Sequence, residues 1–150
     1  MFSFWLFIHL AGLCIWLGSI VAVAFLLVAM KKQLHSADVS ALVRRTVRTF
    51  NMLTHPSAFL VLISGVLMIV EMGLGSDKPF WMTYMERVGG MIILLFIIAI
   101  SIMGKRLMKR ISGGTSQAVA ASSSLSTYVT GLALSSVLVL SVIFVVSGKY

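Results

Sequence analysis

Charged side chains are scarce in this chain. They make up 11% of its 150 residues, roughly half the share of an ordinary soluble domain. Hydrophobic residues account for 59%, and the mean hydropathy is +1.06. That balance excludes an ordinary soluble fold. From Met1 to Met30 there is no Asp, Glu, Lys or Arg. Cysteine occurs once, as Cys14, so an intramolecular disulfide is excluded and cysteine usage says nothing of redox compartment. The first apolar run lacks a basic leader and is too long for the core of a cleavable signal, so it is expected to remain as a span. No lipidation motif is visible, since Met1 is followed by Phe2 and no cysteine box closes the chain. Acidic residues number four against twelve Lys and Arg, a formal charge of +8. The basic residues sit beside apolar runs, however, where their bias sets topology rather than nucleic-acid binding.

What the chain does contain is four long apolar stretches, and 150 residues leave room for little else. The pattern predicts one all-α domain, residues 1–150: an integral-membrane, up-down-up-down four-helix bundle. Its helices are expected at about 2–33, 38–72, 79–111 and 117–146. Ser36 or Asp38 can cap the second helix, and Asp77 with Pro79 can open the third. Gly113-Gly114 can end the third. Phe80, Trp81 and Tyr84 form an interfacial aromatic belt. In the fourth, Gly131 and Ser135 have the small-x-x-x-small spacing of a close helix contact.

The charges orient the bundle. Lys31, Lys32, Arg44, Arg45 and Arg48 flank the first connection, and Lys105, Arg106, Lys109 and Arg110 flank the third. Lys78, Arg87 and Lys149 lie on the other side. The first and third connections are therefore expected in the cytoplasm of a bacterial-type inner membrane, with both termini external. Contact with anionic lipid would be a second use of the same clusters.

The stretch His9-Leu-Ala-Gly-Leu-Cys-Ile-Trp16-Leu-Gly18 carries the chemistry. A histidine inside a span is costly and asks for a partner or a ligand. His9 and Trp16 are two turns apart, so they share a face, and Gly12 hollows that face between them. The hollow suits something flat or another backbone. In the second helix, Thr54-His55-Pro56 predicts a kink, because proline lacks a helical N–H and crowds the preceding turn. Thr54 is expected to satisfy a freed carbonyl. Counting from the turns places His9 level with Leu60 and Val61 and with Gly89-Gly90. His55 falls level with Cys14, Phe96 and Leu132. The two histidines then differ in depth by about five residues, roughly 7 to 8 Å. Helices 3 and 4 hold no histidine, and His35 lies in a turn, so a bis-histidine site within one chain has to use His9 and His55.

His9 early in the first span, followed by Trp16 and Gly18, resembles the opening helix of copper-resistance D-type membrane domains. It is also similar to small four-span proteins grouped with the HemJ-type protoporphyrinogen oxidases. The resemblance implies a four-helix membrane bundle with a histidine in the first span. For the HemJ-type members it implies a b-type haem, held with help from a lysine in the third span. Here the corresponding stretch, Trp81 to Gly90, carries Glu86-Arg87, and no lysine lies between Lys78 and Lys105. Arginine stays protonated and is no ordinary iron ligand.

The expected function is a small membrane haem-b protein serving electron transfer, porphyrin oxidation or haem handling, an oxidoreductase if it is an enzyme. Haem would be held by His9, alone or with His55. Trp16 would pack on the macrocycle, Gly12, Gly89 and Gly90 would leave room for it, and Arg87 would pair with a propionate. Quinone or porphyrin are the partners that chemistry admits, along with the lipid bilayer and a homodimer or larger complex. The alternative is a copper transport or homeostasis module using His9, His55 and the methionines 68, 72, 82, 85 and 91, whose thioethers suit Cu(I). The third reading is a cofactor-free subunit of a membrane complex. Hydrolase chemistry finds no serine, histidine and acid arranged for it.

Overall fold

Inside a bilayer every backbone N–H and C=O must be satisfied within the protein, so a long apolar run with few breakers becomes a helix. The computed structural model describes residues 1–34, 36–73, 78–112 and 118–148. Helix α1 is Phe2–Met30, continued by a 3-10 turn at Lys31–Gln33. Helix α2 is Ala37–Met72, α3 is Phe80–Ile111 and α4 is Ala118–Gly148. All four are long and apolar enough to cross a membrane. The helical bundle expected from the apolar pattern is present, with bounds within a residue or two where both are defined. His35, the proposed Asp77 cap, the Gly113-Gly114 stop, Gln117 and Lys149 lie outside the described residues.

The helix ends use local chemistry. Ser36 adopts an extended N-cap backbone, but its hydroxyl makes no capping bond. The turn is tied instead by Ser40 Oγ, which donates to Leu34 O at 2.9 Å. Gly73 ends α2 at φ +61°, a left-handed conformation that disfavours a side chain. Pro79 stands at the N-cap of α3 rather than inside its first turn, and its carbonyl accepts from the N–H groups of Met82 and Thr83.

Two features depart from the expected helices. α2 runs unbroken through Pro56. Side chains around the proline fold back onto the helix: Thr54 Oγ1 donates to Phe50 O at 2.6 Å and Ser57 Oγ to Thr54 O at 3.0 Å. In α3, the turn Met85–Gly89 is a π-helix between the α-helical Phe80–Tyr84 and Gly90–Ile111. Such wide turns shift the phase of the residues on either side and recur at functional sites. The adjacent Gly89-Gly90 offers little side-chain resistance to the widening.

The four helices close a square. α1 packs most closely on α2, and α3 on α4, while α1 also meets α4 and α2 meets α3. Gly12 sets the first seam: a Cβ there would lie 3.0 Å from Val61 Cγ2 and 3.3 Å from the Ser57 carbonyl. The core is built from residues at helical spacing, among them Trp16, Ile20 and Leu27 of α1 and Val43, Val47 and Phe50 of α2. From the other side come Phe96, Ile100, Tyr128 and Leu132. Large apolar side chains also point outward; Phe7, Phe25 and Phe144 expose 69%, 72% and 74% of their surface. In water such a surface would aggregate. Facing lipid, it is the expected exterior.

Candidate functional site

A central cavity opens between all four helices near the end of the bundle where α1 begins. Its lining includes His9 and Trp16 of α1, Val61 and Gly65 of α2, Met85 and Glu86 of α3, and Val142 of α4. Its volume is about 90 Å³.

His9 is fixed by α2. Its Nδ1 lies 2.9 Å from the Val61 carbonyl and 3.2 Å from Ser64 Oγ. A carbonyl can only accept, so Nδ1 carries the proton and donates to it. Ser64 is itself oriented by donating to the carbonyls of Leu60 and Val61. Gly65 makes the approach possible, since a Cβ there would stand 3.3 Å from His9 Cε1. The other ring nitrogen, Nε2, has no hydrogen-bond partner among the described residues. Ligating histidines commonly give one N–H to a backbone carbonyl in this way, an arrangement that a histidine without a ligand can share.

Trp16, two turns deeper, is 1% exposed and meets Phe96 edge-on at 5.1 Å between ring centroids. Its indole N–H is buried without a partner among the described residues. The π-helical turn brings Met85, Glu86 and Gly89 into the lining. Glu86 is held at 2.8 Å by Lys78. Arg87, the next residue, is exposed and does not line the cavity.

His55 belongs elsewhere. Its Nδ1 donates to the Asn51 carbonyl at 2.7 Å, and its Nε2 accepts from Ser101 Oγ at 2.7 Å. The buried Tyr128 hydroxyl donates to Asn51 Oδ1 at 3.4 Å, so this cluster joins α2, α3 and α4. The carbonyls that hold the two histidines, Val61 O and Asn51 O, are ten residues apart on one helix, or about 15 Å along its axis. Two imidazoles on opposite faces of one metal stand about 4 Å apart, nitrogen to nitrogen. The structure thus holds His9 and His55 on different carbonyls at different depths, as the turn count suggested.

Of the residues singled out in the sequence, the cavity brings together His9, Trp16, Gly89 and Gly90. Gly12 faces α2 and has no room for a flat ligand, Arg87 points away, and His55 has its own partners. Among the methionines of the copper reading, Met68 and Met82 are buried in packing, Met72 and Met91 are exposed, and Met85 lines the cavity. Among the described residues no three His, Cys, Asp or Glu side chains group as a metal site. Cys14 is exposed on the outside of α1. Ser64 and Gly65 escaped the sequence reading as parts of the site, whereas Met85 was among the methionines of the copper reading. The signal for the first two was a pair of small residues interrupting the apolar run of α2 at the depth of His9.

No family model, no curated protein and no solved structure matches this chain.

Proposed function

We propose that this chain is an integral membrane haem-b protein that works in electron transfer, porphyrin oxidation or haem handling, and that His9 would hold the haem. The observation that carries the reading is His9 itself, with Nδ1–H anchored on Val61 O and Nε2 unpartnered in an apolar core cavity. The donor set suits the group. Met85 supplies a thioether from another wall of the same cavity, and a histidine with a methionine is a recurrent haem ligand pair. His55 is not part of the site.

A haem supplies one-electron chemistry at its iron when bound. The protein's own part is to fix the imidazole, keep water from the cavity and set the dielectric around the ring. A cavity of about 90 Å³ is below the ~300 Å³ at which ligand pockets usually begin and is too small for a haem, so loading requires the helices to part. The side between α2 and α3, the least tightly packed of the four, is where they give most easily. Neither cation near the start of α3 faces the cavity: Lys78 is paired with Glu86 and Arg87 is exposed outside the lining.

The first test is an absorption spectrum of protein expressed with ample haem, oxidised and reduced. A Soret band with sharp reduced bands is expected. Met85→Leu is expected to keep the haem but shift its absorption spectrum and lower the reduction potential. An unchanged spectrum would remove Met85 from the ligand set.

The orientation rests on the nine basic residues flanking the first and third connections. A periplasmically active reporter fused after Tyr150 is expected to be active in a bacterial inner membrane, and the same reporter in the first connection silent. The opposite pattern would invert the protein.

A further inference from the structure

Between α3 and α4, on the outer surface of the bundle, runs a groove of about 620 Å³, well within the range of ligand sites. Leu95 and Ala99 form one wall and Thr130 and Leu134 the other. On α4 its lining extends from Ser123 to Leu138, about 22 Å along the helix. That exceeds half of a ~30 Å hydrocarbon core. The groove does not end blindly. Met103, Ser123 and Thr127 also line a second hollow, of about 270 Å³, whose remaining walls are Arg106, Arg110 and Ser124. Arg110 is drawn over the mouth by donating from Nη1 to Ala120 O at 3.1 Å, which leaves its other N–H groups available.

We propose that this composite groove is a binding site for an anionic phospholipid, with an acyl chain between α3 and α4 and the phosphate at Arg106 and Arg110. A guanidinium offers paired donors that match phosphate oxygens, and the hydroxyls of Ser123 and Ser124 stand beside them. Basic hollows between helices at the membrane surface bind such head groups. Charge argues against a second copy of the chain as occupant. A two-fold axis along the membrane normal would bring the arginine pairs of both copies to the same end, where like charges repel. A zwitterionic lipid would leave the cationic mouth unbalanced. The site is independent of His9 and of any haem.

The test uses full-length protein in a mild detergent, titrated with phosphatidylglycerol, phosphatidylcholine or inorganic phosphate and followed by native mass spectrometry. Phosphatidylglycerol is expected to bind at least about tenfold more tightly than phosphatidylcholine, from two cations each acting on the head group. The R106Q/R110Q double variant is expected to erase that preference. Thr130→Phe, which fills the exposed groove without touching the core, is expected to weaken phosphatidylglycerol binding with both arginines intact. Equal binding of the two lipids overturns the proposal. So does a preference that survives Arg106 and Arg110 substitution. Loss with the arginine variant but not with Thr130→Phe, together with phosphate binding, leaves a bare phosphate site and no lipid groove. A dimer that Thr130→Phe dissociates gives the groove to a second copy.

Discussion

His9→Ala is expected to abolish the Soret band of haem-supplied protein, while His55→Ala leaves it in place. The contrast follows from geometry. His9 presents a free Nε2 to the central cavity, held there by Val61 O and Ser64. His55 spends both ring nitrogens on Asn51 O and Ser101 Oγ, about 15 Å farther along α2. Loss of His55 is expected to act on stability instead, at about 0.5–1.5 kcal/mol for each of its two part-buried hydrogen bonds. Gly65→Ala gives the intermediate result. Its Cβ would press on His9 Cε1, so haem is retained with a shifted spectrum and lower affinity. The measurement is the absorption spectrum of each variant against its haem content, with helicity checked by circular dichroism. A wild-type protein without a Soret band, or a His9→Ala protein with a normal one, ends the haem reading. Competition for Cu(I) would then decide whether His9 serves copper.

Gly12→Leu is expected to produce a marked loss of stability. The place of its side chain is taken by Val61 Cγ2 and by the Ser57 carbonyl. Val61 can rotate aside, but the carbonyl belongs to α2's backbone and moves only with the helix. Overpacking of this kind costs about 1–3 kcal/mol, and more when a backbone is displaced. For a chain of this size that corresponds to a fall of roughly 5–10 °C in Tm, measured by thermal circular dichroism in detergent. His9 lies one turn earlier on the same seam, so the variant is also expected to weaken the Nδ1–Val61 O bond and lose haem. Gly12→Ala tests the gradation with a smaller fall. A Gly12→Leu protein as stable as the parent would mean that α1 and α2 do not meet at this point.

The helices were legible because the bilayer makes hydropathy nearly sufficient. A run without charges, closed by Lys31-Lys32 or by Lys105-Arg106, has few alternatives to a span. The depth of His9 was legible for a related reason, since short connections leave an antiparallel pair little freedom to slide, and His9 does meet Val61. Azimuth was harder. Gly12 reads from sequence as a hollow, and nothing in sequence says whether a ligand or a neighbouring backbone fills it; the Ser57 carbonyl does. Arg87 and Met85 were assigned by depth alone. The π-helical turn that turns Met85 and Glu86 inward and leaves Arg87 outside has no periodic signature, because one widened turn is invisible to a pattern averaged over many residues. What the count of residue levels could not give is the partner of each ring, Val61 O for His9 and Asn51 O with Ser101 for His55.

The wide turn at Met85–Gly89 has a consequence for how this chain tolerates change in length. In a regular helix, adding or deleting one residue rotates everything beyond it by about 100°. A π-helical turn is a place where such a rotation has already been absorbed. The aromatic belt of Phe80, Trp81 and Tyr84 and the span that starts at Gly90 therefore keep their own azimuths across it. Over evolutionary time, insertions and deletions in α3 are expected to collect in those five residues. Elsewhere in the helix a single added residue would turn Phe96 and Ile100 away from Trp16 and the core.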